Sequence, residues 1–437
     1  MAGADLNRPT MRILHLSDAL HPPVTGGTEV FIDRLLAAQV RLPQPLQPLW
    51  AAHADPGTEA VAADPGAGRL LLPPVPSADR CRRLAMEAGA LPGFTALLDG
   101  FMPQVLHLHS WSERCGLSHV QAARARGIRV VMTVHAPGFT CLQGSLRFRR
   151  RQACDGRIDD RRCTDCRLVN GGVPAPLAAL VARQNGWPLG PDSPGRLAHL
   201  LTARPLTAAF RRGWQRLLPE VAAFHVLARW SAEVLRRNGV PQERLHLVRS
   251  AGPAPLPPAP RSPRRTGPLR LVWWGRCAEV KGVHLLVEAI RGLPPDLPLQ
   301  LDLWGPGWDS PYGRRLQRRL AGEPRVRHRG CLPPEALLPR LADYDLGLLP
   351  SLWPETGPLT LLEAFAAGLP VAGSDLGGIA ELITDHGGGV LLPPTPQAWR
   401  DFLAAIARGE RPLPAPAGPL ERTVDTLARE LLPLYGP

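Results

Sequence analysis

No stretch of this sequence approaches the ~18 uninterrupted apolar residues that a membrane-spanning helix requires, so no span is expected. The opening residues, MAGADLNRPT, lack the apolar centre of a secretory leader. Without that route to an oxidising compartment, the chain is expected in the cytosol, where its 8 cysteines stay thiols or bind metal. Aromatic residues are scarce, at 5%. In the most basic run, RFRRR (147–151), only Phe148 offers a ring, too little for a base-stacking platform, so nucleic acid is not an expected partner. Acidic residues are in deficit, 38 against 51 Lys+Arg, leaving a net charge of +13. A solvated, arginine-rich surface accounts for that excess, and peripheral contact with the inner face of an anionic membrane is the next reading.

What the chain does have is room and periodicity. Its 437 residues, 44% apolar and 20% charged, suffice for two domains with separate cores. MRILHLSD (11–18), PQVLHLHS (103–110), IRVVMTVH (128–135) and FHVL (224–227) are short apolar runs ending in polar residues, with helical stretches between them. That alternation predicts an α/β fold with doubly wound parallel sheets. Ligands of such sheets gather beyond the carboxyl ends of the strands, here marked by Ser17, His109, Ser110 and His135. AGPAPLPPAPRSPRRTGP breaks every periodicity and reads as a linker, after which a second alternating set begins with LRLVWWG. The expected organisation is an N-terminal domain at 11–250 with a cysteine-rich insertion at 141–166, a linker at 251–268, a C-terminal domain at 269–410 and a C-terminal helix at 415–437. Two such domains would face one another across a ligand cleft.

Three stretches carry chemistry. GRCAEVKG (275–282) puts Arg276 and Lys281 on a strand-to-helix loop, where a planar fork and a compact charge suit a diphosphate; two solvated cations are the alternative. SLWPETGPLTLLEAFAAGLPV (351–371) brackets a helix start with Glu355 and Glu363. Pro358 suits a first helical turn, and the N–H groups of Gly357, Leu359 and Thr360 would form an anion site. The helix is apolar on nearly every side, which predicts burial and makes Glu363 costly unless it has a partner. Carboxylates flanking an anion site repel phosphate, so sugar hydroxyls are the fitting ligands; a capping glutamate beside a paired buried one is the alternative. The third stretch is Cys141-x12-Cys154-x8-Cys163-x2-Cys166, which reads as a structural tetrahedral zinc site, with unliganded thiols or a disulfide remaining open. The loop looks too polar to bury a core, so metal is expected to be its main source of order. Asp343-Tyr344-Asp345 forms a D-x-D at the entry of a strand rather than its exit, and reads as structural.

Together these stretches resemble the glycosyltransferase family 4 group of retaining enzymes, which have the GT-B fold of two Rossmann-like domains. The signature E-x7-E falls at Glu355 and Glu363 after Pro350-Ser351, and its companion G-R-x4-K-G at Gly275, Arg276, Lys281 and Gly282. FHVLARWSAEVLRRNGVPQERLHLV is similar to the segment closing the family's N-terminal domain, and GLPVAGSDLGGIAEL to the stretch after the signature. The resemblance runs from about Met11 to Pro394. It implies a nucleoside-diphosphate-sugar donor, of UDP or GDP type, in the C-terminal domain, and a glycan or lipid-linked acceptor in the N-terminal one. Arg276 and Lys281 would take the diphosphate, Glu363 the ribose hydroxyls and Glu355 the donor sugar. Gly26-Gly27 would be a glycine loop near the diphosphate, unless Gly27 merely precedes a helix, and His135 would stand beside the reacting sugar. Same-face attack, with the leaving phosphate taking the acceptor's proton, requires no catalytic metal. The function implied is hexose transfer in the synthesis of a bacterial-type surface polysaccharide or glycolipid.

Departures from the family pattern fall at Arg249-Ser250-Ala251-Gly252, where Asn-Gly is usual, and at Ala136-Pro137, where an acidic or aromatic residue is usual. Donor and acceptor preferences are therefore not carried over. The rival readings are a nucleotide-sugar isomerase of the same build and a basic, zinc-containing RNA-binding protein.

Overall fold

A computed structural model describes residues 10–20, 26–56, 68–184, 189–190, 192–257, 267–418 and 420–436. The chain divides into two compact units, Met1–Ser250 with Val424–Pro437, and Ala251–Thr423.

Among the described residues, unit 1 is built on seven parallel strands: β1 (Met11–Ser17), β2 (Leu46–His53), β3 (Arg69–Leu72), β4 (Val105–Leu108), β5 (Arg129–Val134), β8 (Ala223–Val226) and β9 (Leu245–Leu247). Between β5 and β8 lies a small antiparallel hairpin, β6 (Arg147–Phe148) and β7 (Gln152–Ala153). The sheet order is β3-β2-β1-β4-β5-β8-β9, so the winding reverses between β1 and β4. Strands such as MRILHLS and RVVMTV are apolar on both sides because helices cover both faces of a parallel sheet. Trp50, Phe94, Phe210, Trp214 and Phe224 are the largest fully buried side chains of this core. The helix Val424–Tyr435 is part of the same unit: Arg41 pairs with Asp425 at 2.5 Å, and Arg129 Nε donates to Leu434 O at 2.8 Å. The expected C-terminal helix is thus an element of the first unit.

Among the described residues, unit 2 carries six parallel strands: β10 (Leu269–Trp274), β11 (Leu299–Trp304), β12 (Val326–His328), β13 (Leu346–Leu349), β14 (Val371–Ser374) and β15 (Gly389–Leu392). Their order, β12-β11-β10-β13-β14-β15, reverses between β10 and β13. Trp273, Phe365 and Trp399 fill its core. Part of the proline-rich stretch 251–268 lies outside the described residues. Its first part packs onto this unit, with Leu256 N–H donating to Ala366 O at 2.8 Å and Ala251 buried.

Candidate active site

In unit 2 both halves of the paired motif lie just beyond the two strands that flank the reversal, where doubly wound sheets bind their ligands. The loop after β10 is locked to the loop after β13. Gly282 has φ +70°, and a Cβ there would stand 1.8 Å from Pro350 O, so only glycine allows the approach. Leu352 N–H donates to Val280 O at 2.8 Å across the same seam. This clamp sets Lys281 Nζ 2.7 Å from Glu355 Oε1, which also accepts the Ser351 hydroxyl at 2.7 Å. The Lys281 ammonium lies 5.8 Å from the ring centre of Trp353. Burial alone would raise the Glu355 pKa, but the Lys281 charge and the bonds from Lys281 and Ser351 outweigh it and hold the carboxylate below its ordinary value. Sequence reasoning placed Lys281 on phosphate and Glu355 on sugar; the structure joins them as one pair.

The helix that follows runs Leu359–Ala366, with Pro358 as its N-cap rather than in its first turn. Nor is it buried all round: Leu361, Leu362, Ala364, Phe365 and Ala366 are buried, while Leu359, Thr360 and Glu363 form a half-buried face. Spacing of three and four residues puts those three on one side. Glu363 Oε2 accepts the indole N–H of Trp274, the last residue of β10, at 2.8 Å. A charge on an otherwise apolar helix is thereby held by a tryptophan donor and kept at the surface. Gly275 follows with φ +133°, and Arg276 is exposed and makes no hydrogen bond or ion pair among the described residues.

Asp343 pairs with Arg340 at 3.1 Å, and Asp345 exchanges hydrogen bonds with the backbone of Arg270, so both aspartates are spent at the entry of β13.

In unit 1, His135 follows β5, half-buried, with Nε2 3.0 Å from His109 Nδ1 and its ring edge-on to Phe31. Removal from water pushes its pKa down to about 3. Ser17 is buried and accepts from the Trp50 indole at 2.8 Å, while Ser110 accepts from Asp18 N–H at 3.2 Å. Gly26 caps the helix Gly27–Arg41 in extended conformation, φ −131°, which any residue could adopt. The preceding HPPVT lies outside the described residues, so the glycine loop is described only at its end. Asp18, which the sequence did not single out, accepts from the Ser112 hydroxyl, and burial raises its pKa.

Cys141, Cys154, Cys163 and Cys166 all line one cavity of about 30 Å³. Arg149 N–H donates to Cys166 Sγ at 3.1 Å and Asp159 N–H to Cys163 Sγ at 3.5 Å, as donors do toward thiolates. Arg149 and Arg150 take left-handed φ of 52° and 58° in the hairpin turn that aims the first of these bonds. Burial raises the pKa of Cys154 and Cys166 and takes Cys163 to about 11, so a cation would be needed to hold them as thiolates. The four-sulfur set fits zinc. Among the described residues, however, no three of these sulfurs lie within 4.8 Å of one another, whereas tetrahedral zinc holds sulfurs about 3.8 Å apart. The insertion also has contacts of its own that do not involve metal. Its helix Asp160–Asn170 buries Thr164, Cys166 and Leu168, Arg211 grips Asp160 at 2.8 Å, and Ile158 N–H bonds to Asn238.

Sequence reasoning missed the singularity of Lys281: every other basic residue of the 51 is arginine. Where arginine is the default, a lysine marks a place that needs a compact charge. It also missed Gly377-Gly378. A Cβ on Gly377 would lie 2.5 Å from Pro354 Cα and one on Gly378 2.6 Å from Thr356 O, and Gly378 N–H donates to Glu355 O at 2.6 Å. The glycine pair at a helix start was the available signal.

By fold the chain is a GT-B protein of two Rossmann-like units. It is similar to Alr3699/HepE of Anabaena, solved with UDP and glucose, at TM-score 0.58 and 14% identity over 97% of this chain and 94% of that one. It is similar also to the sucrose-phosphate synthase of Thermosynechococcus elongatus, at TM-score 0.57 and 18% identity over 97% and 95%. Residues 268–408 match the family model described as glycosyl transferases group 1. In sequence it is 31% identical to the colanic acid biosynthesis glycosyltransferase WcaL of Escherichia coli strain K12, over 36% of this chain and 41% of that protein. It is 35% identical to the glycogen synthase of Mycobacterium tuberculosis strain H37Rv, over 37% of this chain and 38% of that protein. The matches span less than half the length of either relative.

Proposed function

We propose that the chain is a retaining glycosyltransferase that moves a hexose-type sugar from a UDP- or GDP-type donor to a glycan or lipid-linked acceptor in surface polysaccharide or glycolipid synthesis. The observation that carries this reading is the clamped Lys281–Glu355–Ser351 cluster beside exposed Arg276, at the reversal of the second sheet. A diphosphate arriving there takes up Arg276 and Lys281, together with the N–H groups of Leu359 and Thr360 at the helix start. Lys281 then divides its hydrogen bonds between phosphate and Glu355, and Glu355 turns toward the sugar hydroxyls. Glu363, oriented by Trp274, accepts from the ribose.

In the transfer step the bond from the sugar's anomeric carbon to the diphosphate oxygen breaks, and the acceptor oxygen bonds to that carbon on the same face. The acceptor proton passes to the departing phosphate. Arg276 and Lys281 stabilise the charge that develops on that phosphate. WcaL, named for colanic acid biosynthesis, and HepE, solved with UDP and glucose, support the polysaccharide and donor classes.

The test is a thermal-shift screen against nucleoside diphosphates and their sugars, followed by product analysis with glycan and lipid-linked acceptors. A specific ligand at 100 times its Kd adds about 2.7 kcal/mol of stability. No shift with any nucleotide overturns the reading, and conversion of the donor sugar with no acceptor present identifies an isomerase instead.

The four cysteines are proposed to hold one structural zinc. Four thiolates would fill its coordination shell, leaving no position for substrate, and the shared cavity with N–H groups aimed at sulfur supports this.

A further inference from the structure

Unit 1 holds a buried polar network that the proposed reaction does not use. His15, His107 and His225 are 0% exposed and His109 1%, in the midst of an otherwise apolar parallel sheet. Buried polar groups must be satisfied, and here their partners form a single file.

The direction of every bond in that file follows from one acceptor. His225 Nε2 lies 2.8 Å from Val248 O, and a carbonyl oxygen only accepts, so Nε2 carries the hydrogen. Burial disfavours charged imidazole, so His225 Nδ1 accepts, and its donor is the Thr133 hydroxyl at 2.8 Å. Thr133 Oγ1 then accepts from His107 Nε2 at 2.7 Å, and His107 Nδ1 from the Tyr435 hydroxyl at 3.1 Å. The Tyr435 oxygen accepts from Gln39 Nε2 at 3.1 Å, and Gln39 Oε1 from His15 Nε2 at 2.9 Å. His15 Nδ1 accepts from His109 Nε2 at 2.9 Å, and His109 Nδ1 from His135 Nε2 at 3.0 Å. Eight consecutive hydrogen bonds are satisfied at once, with all five rings neutral and hydrogen on every Nε2. Reversing any one of them sets two hydrogens or two lone pairs face to face in a dry interior.

We propose that this file is a positioning network for His135, which fixes its ring as a neutral imidazole with hydrogen on Nε2 and the lone pair on Nδ1, and that Tyr435 on the helix Val424–Tyr435 is the link that closes it. His135 is thereby held as a neutral imidazole and not as an acid. Its functional part rests on the reading of His135 as a site residue. The competing use of these rings is a metal, because ring nitrogens of His15, His107 and His109 lie within 4.8 Å of one another. A metal there would take a lone pair already committed in the file.

The test has two arms. Nitrogen-15 NMR of histidine-labelled protein at pH 7 reads each ring's tautomer without any assay of transfer. All five rings are expected as Nε2–H; any of them as the Nδ1–H form, or a stoichiometric divalent ion lost together with those tautomers on chelation, overturns the network. The second arm is kinetic. Tyr435→Phe and Thr133→Val should each lower turnover roughly tenfold, the worth of about one hydrogen bond, with the KM for donor nearly unchanged. Thr133→Ser, which keeps the hydroxyl, should restore it. Expected tautomers with unchanged kinetics in both variants overturn the positioning role alone, and a chain with no transfer activity still leaves the NMR result decisive for the network.

Discussion

Lys281 and Glu355, 74 residues apart in sequence, meet at 2.7 Å with side chains only 25% and 10% exposed. Each is the other's counter-charge in a place that water barely reaches. Both Lys281→Ala and Arg276→Ala remove a proposed phosphate ligand, but only Lys281→Ala also takes away the charge paired with Glu355. Both variants should lower turnover by roughly two orders of magnitude, the scale for a donor acting on developing charge. Only Lys281→Ala should also cost stability, about 2–4 kcal/mol, as expected when one partner of a desolvated pair is removed. Adding Glu355→Gln should recover part of that stability and none of the turnover. Denaturant titration and steady-state kinetics on the four proteins check this; equal stability of Lys281→Ala and wild type would refute the pairing.

Glu363 accepts from the neutral indole of Trp274, and its variants are expected to act on nucleotide binding. Glu363→Gln is expected to weaken binding of the free nucleoside diphosphate about tenfold, as for one charge-assisted hydrogen bond. Glu355→Gln should chiefly reduce transfer. Trp274→Phe, which removes the indole donor and keeps most of the ring, should weaken nucleotide binding by a smaller factor in the same direction. Calorimetry giving one affinity for wild type and Glu363→Gln would contradict the assignment.

The two sheets and the motif positions were legible in the sequence because continuous apolar runs ending in polar residues have few other uses. Arg276, Lys281, Glu355 and Glu363 stand where their spacing placed them, beyond β10 and β13. What the spacing could not supply is which of them touch. A loop-to-loop seam made by Gly282 and Pro350 decides that, and it depends on a backbone approach invisible in residue types. The helix Leu359–Ala366 was misjudged as buried on all sides because composition does not say which face a neighbouring sheet covers. The histidine file was unreadable for a similar reason. The five rings are spread over β1, β4, β5 and β8 and the residues that directly follow them, and only parallel register brings His15 level with His107.

Buried neutral histidines make unit 1 sensitive to acid. Burial lowers the pKa of His15 to about 4 and of His119 and His135 to about 3, against about 6.5 in an unfolded chain. Below pH 6.5 the unfolded chain binds protons that the native rings refuse, so stability is complete above that pH. It falls as the pH drops toward 4, by up to about 1.4 kcal/mol per pH unit for each such ring. Asp18, with a raised pKa, works in the opposite sense but is one group against several. Urea midpoints should be lower at pH 5 than at pH 7.5, and His119→Gln should flatten the difference if it folds. A midpoint that is equal or higher at pH 5 would show that these rings are already charged in the native state.

The cysteine cavity makes the last prediction. Protein purified without a histidine tag should carry about one zinc per chain, bound by Cys141, Cys154, Cys163 and Cys166. Their sulfurs would draw together on binding, since zinc sets them about 3.8 Å apart. The metal's contribution to order should be local. The insertion has a bidentate Arg149–Asp165 pair at 2.9 and 2.8 Å, an Arg211–Asp160 pair and the Ile158–Asn238 bond, none of which involves a sulfur. Chelation is therefore expected to raise hydrogen exchange across the hairpin Arg147–Ala153 and the first turn of the helix Asp160–Asn170, with the two core sheets unchanged. Donor nucleotide affinity, proposed to reside in unit 2, should hold within about twofold, while acceptor use falls. Cys163→Ser should reproduce the chelated exchange pattern, because a hydroxyl is a poor substitute for thiolate on zinc. A zinc content near zero, with all four thiols freely titratable in the native protein, would leave the cavity as a cluster of ordinary cysteines.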